Sequence, residues 1–220
     1  MQGETSFFTS EVRAELREFV AQLEEDLSNQ VQITEMGPVD AREERENGTP
    51  TRPKPVLSDK AITRDIPTGN GSVPVRAFIP TTQIDGVYLH IHGGGFVTGR
   101  AHHQDEQLLE IMEDANAVVI SVDYRLAPEN PYPAAQDDCE AVAEWVIENA
   151  PKEFGTDRIA IGGESAGGHL AASTMIRMRD RHGYSGFSGA NLVYGWFDLS
   201  STPSSRLWGD RYLILNTPIM

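Results

Sequence analysis

The stretch that decides the fold is Gly163-Glu164-Ser165-Ala166-Gly167, a G-x-S-x-G motif. Residues 158–162 before it are mostly apolar and predict a strand, and residues 166–181 after it predict a helix. This strand–motif–helix context is that of a nucleophile elbow, a sharp turn that exposes a serine hydroxyl. The glycines are needed because such a turn leaves no room for Cβ atoms beside the serine. A glycine-rich turn with an inert Ser165 is the alternative interpretation.

A second glycine motif, His92-Gly93-Gly94-Gly95, follows the strand pattern of residues 87–91. Successive glycines let the backbone approach a ligand closely, and their N–H groups can donate to a developing oxyanion. A flexible glycine turn without a role in catalysis is the alternative. Two such motifs in this order, each after a predicted strand, favour the catalytic interpretation.

Strand and helix patterns alternate from residue 58 onwards, which predicts an α/β fold with a mostly parallel sheet. The apolar run 117–122 is typical of a parallel strand that is covered on both faces. Strands are predicted over 58–67, 72–80, 87–91, 117–122, 158–162 and 190–196, and helices over 104–115, 134–149 and 166–181.

The N-terminal part has a different character. Residues 10–28 have the spacing of an amphipathic helix with one buried apolar stripe. Residues 37–57 contain the charged run Arg42-Glu43-Glu44-Arg45-Glu46 followed by prolines, which predicts a linker or a long surface loop. We therefore expect two regions, 1–57 and 58–220.

The charge and the cysteine count limit the partners and the location. The formal net charge of −15, from 33 acidic and 18 basic residues, argues against nucleic acid and anionic membranes as partners. The single cysteine, Cys139, and the lack of a signal-peptide pattern predict a cytoplasmic protein. No H-E-x-x-H or paired-cysteine spacing occurs, so no metal site is expected. At the start of the predicted helix 104–115, His103 and Asp105 could form a local polar cluster.

Four segments together resemble the hormone-sensitive-lipase-like esterases, the α/β-hydrolase fold-3 group. They occur in the family's order over residues 58–220. The resemblance implies an α/β-hydrolase fold with helices on both faces of the sheet, and N-terminal helices that cap the acyl pocket. The segments are His90-Ile91-His92-Gly93-Gly94-Gly95-Phe96, Asp123-Tyr124-Arg125-Leu126-Ala127-Pro128-Glu129, Tyr132-Pro133-Ala134-Ala135 and Gly163-Glu164-Ser165-Ala166-Gly167-Gly168.

The resemblance also implies roles for individual residues. Ser165 would be the nucleophile, and Gly93, Gly94 and Ala166 would supply oxyanion N–H groups. The expected reaction is hydrolysis of short- or medium-chain carboxylic esters through an acyl-enzyme, without a cofactor and with a small-molecule ester as partner. An amidase such as an arylformamidase and a non-catalytic binding protein on the same scaffold are alternatives, and a homodimer is left open.

The triad acid and histidine of this family follow the serine along the chain. Only His169 and His182 follow Ser165, and neither matches the family's position. We expect His169 to pack under the elbow and His182 to lie at a helix C-terminus. The chain is therefore expected to be a fragment with little activity, without the fold's last strands and helices. Glu164 is expected either to hold the site or an interface, or only to pack beside the elbow.

Overall fold

The computed structural model describes residues 10–28, 35–49, 52–69, 71–200 and 202–208. Its strands are β1 Ile62–Thr68, β2 Gly71–Phe78, β3 Gly86–Ile91, β4 Ala117–Val122, β5 Ile159–Glu164 and β6 Gly189–Val193. Its helices are α1 Ser10–Ser28, α2 Pro38–Asn47, α3 Asp105–Ala115, α4 Ala134–Glu153, α5 Ala166–His182 and α6 Pro203–Trp208, with a short 3-10 helix at Ala101–Gln104.

The six strands form one sheet in the order β1-β2-β4-β3-β5-β6. β1 and β2 pair antiparallel, as do β2 and β4, whereas β4, β3, β5 and β6 run parallel. The mostly parallel sheet is thus confirmed. In this register Ile91, the last residue of β3, lies opposite Gly163 of β5. The two glycine motifs therefore leave the sheet side by side, at the carboxyl ends of neighbouring strands.

Helices cover both faces of this sheet, as predicted. Side chains alternate between the faces along each strand, so that Leu89 and Tyr88 of β3 belong to different clusters. The larger cluster packs α4 and α5 against one face, and the smaller one packs α3 against the other. Each fully buried Leu or Ile contributes about 1.5–3 kcal/mol to the stability of this core.

Residues 37–57 are not simply the linker or loop that their charge predicted, because they begin with helix α2. Ala41 is the one buried residue of α2, so the helix has no apolar stripe to reveal it in the sequence. Arg42 holds it instead. The guanidinium donates to the carbonyl oxygens of Val97 and Ala127, at 2.8 Å each, and pairs with Glu129 at 2.7 Å. These partners lie 55 to 87 residues away along the chain.

The chain divides into two compact units, Pro38–Phe197 and Met1–Gly37 together with Asp198–Met220. Helix α1 has the predicted bounds, but most of its expected buried stripe is not buried: Leu16 and Phe19 are exposed, whereas Leu27 is buried. The cap role of α1 and the boundary at residue 57 stay predictions. Among the described helices, none has the length and apolar character needed to cross a lipid bilayer.

Candidate active site

Ser165 occupies a strained turn between β5 and α5. Its backbone angles are φ 55° and ψ −120°, a conformation that costs a residue with a Cβ about 1–3 kcal/mol. Neighbouring groups hold it there. The Ser165 N–H donates to the Val193 carbonyl at 2.9 Å, and the Ser165 carbonyl accepts from the His169 N–H at 3.1 Å. The half-buried serine thus lies immediately before the N-terminus of α5.

The elbow glycines are required by the end of β3. A Cβ atom on Gly163 or on Gly167 would overlap the carbonyl oxygen of Ile91. A Cβ on Gly93 would lie only 2.8 Å from the carbonyl oxygen of Glu164. The elbow and the glycine loop therefore contact each other through their backbones, and a side chain at any of these positions would push them apart.

The glycine loop, residues 92–96, has positive φ angles and is held by contacts between His92 and Tyr124. Gly94, Gly95 and Phe96 have φ values of 131°, 62° and 65°. The ring of His92 stacks on Tyr124 at a centroid distance of 4.2 Å, and the Tyr124 hydroxyl donates to the His92 carbonyl at 2.9 Å. Burial lowers the pKa of His92 to about 3, so the imidazole is neutral at neutral pH. The His92 Nδ1 lies 2.9 Å from the Gly93 carbonyl oxygen. A carbonyl oxygen can only accept a hydrogen bond, so Nδ1 carries the imidazole proton.

We predict that Tyr124→Phe lowers the free energy of unfolding by about 1–3 kcal/mol, because the buried His92 carbonyl loses its donor. The ring, and with it the stacking on His92, is retained. Chemical denaturation measures the change, and Tyr132→Phe is the matched control because Tyr132 is exposed. Equal stability of the two variants would contradict a supporting role for the Tyr124 hydroxyl.

Glu164 ties the elbow to the glycine loop. Its Oε1 accepts the Gly93 N–H at 2.5 Å, and its Oε2 lies 3.2 Å from His90 Nε2. His90 Nδ1 lies 2.9 Å from the Ser121 hydroxyl, so a chain of polar groups extends into the buried sheet. Burial alone would raise the pKa of Glu164. The contacts with His90 and the Gly93 N–H lower it by more than burial raises it, so the pKa of Glu164 lies below its usual value. The carboxylate is therefore ionised at neutral pH.

This contact changes the set of available oxyanion donors. The Gly93 N–H, one of the three expected donors, is already engaged by Glu164. Within the described residues, the N–H groups of Gly94, Gly95 and Ala166 donate to no protein acceptor. Gly95 was not among the residues expected from the sequence. The sequence signal that could have indicated Gly95 was Glu164, the acidic residue at the second position of the elbow motif. Its carboxylate occupies the Gly93 N–H and so leaves the N–H groups of the later glycines available.

The segment 123–129 forms hydrogen bonds with the glycine loop and with the residues that follow it. Asp123 accepts from Arg100 and from the Ala101 N–H, both at 3.1 Å. The Ala127 N–H donates to the Phe96 carbonyl at 2.9 Å. These contacts tie the segment to Phe96, which ends the glycine loop, and to Arg100 and Ala101 beyond it, and they give the segment a structural role.

Neither histidine that follows Ser165 is placed to activate it. His169 is half-buried, with Nδ1 at 2.7 Å from the Trp196 carbonyl and its ring edge-on to Phe96. His182 ends α5, and its two ring nitrogens face Glu140 at 2.9 Å and Glu144 at 3.3 Å. In the part of the chain that the structure describes, no histidine forms a hydrogen bond with the Ser165 hydroxyl.

The polar cluster expected for His103 and Asp105 does not form. The buried Asp105 carboxylate accepts the Ser58 N–H at 2.8 Å and pairs with the guanidinium of Arg76. Arg76, which comes from β2, satisfies this carboxylate more strongly than a neutral imidazole would. His103 and His102 instead contact Glu46 of α2.

A family model described as the alpha/beta hydrolase fold matches residues 88–219, more than half of the chain. The chain belongs to this family. The family match and the similarity to named esterases confirm the hormone-sensitive-lipase-like, fold-3 group that the motifs predicted. They also confirm the predicted α/β-hydrolase fold.

Curated members of the hydrolase family match over part of their length. The chain is 43% identical to esterase LipI of Mycobacterium tuberculosis over 140 residues, which are 61% of this chain and 42% of that protein. It is 44% identical to carboxylesterase NlhH of the same species over 116 residues, 51% of this chain and 36% of that protein. The chain thus spans less than half the length of these relatives.

Solved structures of hydrolases show the same arrangement. An esterase from Pyrobaculum calidifontis superposes with a TM-score of 0.77 at 32% identity, over 91% of this chain and 66% of that one. A thermostable esterase from Pseudomonas putida also gives a TM-score of 0.77, at 26% identity, over 91% of this chain and 64% of that one.

Proposed function

We propose that the protein containing this chain is a carboxylic ester hydrolase with Ser165 as its nucleophile. The observation that carries the proposal is the strained Ser165 turn at the start of α5, beside a glycine loop with unengaged N–H groups. The names of its relatives, which are esterases and carboxylesterases, support the same reaction class.

In the proposed reaction, the Ser165 oxygen attacks the acyl carbonyl carbon, and the carbonyl π electrons move to the oxygen. The N–H groups of Gly94, Gly95 and Ala166 would donate to this oxyanion, while Glu164 holds Gly93 and thereby the loop. One such donor typically lowers the barrier by about 3 kcal/mol. Collapse of the tetrahedral intermediate breaks the bond to the leaving oxygen, which takes up the proton removed from Ser165 and departs as the alcohol. Water then attacks the acyl-enzyme, releases the carboxylic acid and returns a proton to the Ser165 oxygen.

The reaction also needs a base that takes the serine proton and an acid that orients the base. No described residue fills either role, and we assign neither. The substrate we propose is a small ester with a short or medium acyl chain, with no cofactor. Relatives named acetyl esterase and arylesterase support this choice.

The proposed setting follows from charge and composition. The net charge of −15 disfavours nucleic acid and anionic membranes, and the single cysteine suits the cytoplasm that we propose as the location. β6 pairs only with β5 among the described strands, and such an edge offers backbone groups to a second chain. Pairing of this edge in two copies of the chain would form a homodimer, which stays a prediction.

The proposal is tested with p-nitrophenyl acetate, butyrate and palmitate, and with an arylformamide. The assay uses the longest reading frame that contains these residues, with the 220-residue chain measured beside it. We expect acetate and butyrate to be the best substrates and the 220-residue chain alone to have little activity. Preference for the arylformamide would support an amidase, and a folded protein without turnover of any substrate would support a binding protein.

A further inference from the structure

A cluster of metal-binding side chains lies outside the nucleophile elbow. Glu46 belongs to α2, and His102 and His103 belong to the 3-10 helix that follows the glycine loop. His102 Nε2 lies 3.1 Å from Glu46 Oε2, and His103 Nε2 lies 2.9 Å from Glu46 Oε1. One ligand atom from each residue lies within 4.8 Å of the other two.

We propose that Glu46, His102 and His103 bind a first-row transition-metal dication of the Zn²⁺ class. Imidazole nitrogen combined with a carboxylate oxygen suits zinc and its neighbours, and three protein ligands plus water is a common zinc coordination. A tetrahedral ion with bonds of about 2.0–2.1 Å holds its ligand atoms roughly 3.3 Å apart. The two contacts with Glu46, at 2.9 and 3.1 Å, are already close to that spacing. The ligand atoms of His102 and His103 lie within 4.8 Å of each other, so an approach of these two side chains completes the site.

A metal needs neutral imidazoles and an ionised carboxylate as ligands. Without a metal, each Nε2 faces an oxygen of Glu46, and an ionised carboxylate only accepts, so Nε2 is the nitrogen that carries the proton. Each histidine would bind the metal through Nε2. The Nε2 proton then passes to solvent and Nδ1 takes up a proton in its place, so the net change in each imidazole is an exchange of tautomers.

The surroundings admit a cation. Arg45 is the positive group that acts on His103 and opposes a bound cation, but its guanidinium is directed to the Thr98 hydroxyl, which it contacts at 3.3 Å. Glu46 and His102 are partly exposed, so an ion can enter from solvent, whereas the His103 side chain forms a buried wall. The net charge of −15 raises the local concentration of cations around the protein.

A metal here would join two segments that are 56 residues apart in the sequence. It would fix α2 against the segment that leaves the glycine loop, next to the contacts that Arg42 already makes with Val97 and Ala127. Binding to the folded state alone raises thermal stability by mass action. The inference concerns the chain's own fold and does not depend on the proposed esterase activity.

The test is calorimetric titration of the protein that contains this chain with Zn²⁺, with Co²⁺ absorption as a report on ligand geometry. We expect one strong site, a higher unfolding temperature with Zn²⁺, and no comparable effect of Mg²⁺, which prefers oxygen ligands. Glu46→Gln and His102→Gln should each weaken Zn²⁺ binding by more than about tenfold. His182→Gln is the matched control, because His182 also contacts carboxylates but has no second histidine beside it.

Circular dichroism establishes that each variant is folded, and the partly exposed His102 provides a second variant if Glu46→Gln does not fold. Absence of a Zn²⁺ site in the unaltered chain would overturn the proposal. So would the same Zn²⁺ affinity in His102→Gln as in the unaltered chain, or a loss of affinity in His182→Gln equal to that in His102→Gln.

Discussion

Ser165→Ala is expected to lower kcat/KM for p-nitrophenyl acetate by at least about 10³-fold in the protein that contains this chain. Alanine keeps the backbone turn but removes the only oxygen that the proposed mechanism uses to attack the ester. The substitution adds no atoms and breaks no described side-chain hydrogen bond of Ser165, so stability should change by no more than about 0.5 kcal/mol.

The matched control is Ser173→Ala in the same helix, α5. The Ser173 hydroxyl donates to the Leu170 carbonyl at 3.0 Å, and its loss should leave turnover nearly unchanged. Retained turnover in a folded Ser165→Ala variant would refute the assignment of the nucleophile. Equal losses in the two variants would mean that damage to α5, and not loss of a nucleophile, had been measured.

Glu164→Ala is expected to lower kcat by about 10²-fold, with a smaller effect on KM. The change leaves the Gly93 N–H and His90 Nε2 without their partner. The glycine loop can then relax, and the N–H groups beyond Gly93 no longer point at the oxyanion. Loss of one aligned donor costs about 10²–10³ in kcat.

Glu164→Gln is the informative partner to this variant. Its amide oxygen can still accept the Gly93 N–H, so it should recover a large part of kcat. Glu148→Ala, at an exposed position of α4, is the control for removal of an acidic side chain. Full kcat in Glu164→Ala would show that the loop holds its shape without the carboxylate, and a role for Glu164 in positioning would be excluded.

The same residue predicts a pH dependence of stability. Its pKa is lowered in the folded protein from the ordinary value of 4.5, so the ionised form stabilises the fold. This contribution is fully present above about pH 4.5 and is lost as the pH falls through the lowered pKa. The unfolding temperatures of the protein and of Glu164→Gln should therefore differ by a constant amount from neutral pH to about pH 5 and converge in more acidic buffers.

Local patterns in the sequence were sufficient for most of the fold. The strand predicted at 117–122 is apolar except for Ser121 and coincides with β4, and the helix predicted at 10–28 coincides with α1. Prediction failed for α2, because its ten residues have a charged surface and a single buried alanine. A helix held by one arginine to distant carbonyl groups has no periodic signal of its own.

The sequence by itself determined that Ser165 lies between a strand and a helix, in a turn where glycines are required. Those features depend on residues within a few positions of one another, and hydrophobic period and glycine spacing report them directly. Only the tertiary structure decided that Glu164 engages Gly93, and that Glu46 meets His102 and His103. These contacts join residues 56 to 71 positions apart, so they exist only once the strands have paired and α2 has packed. For Ser165, strand pairing brought the glycine loop beside the proposed nucleophile and, among the described residues, left the N–H groups of Gly94, Gly95 and Ala166 without a protein acceptor.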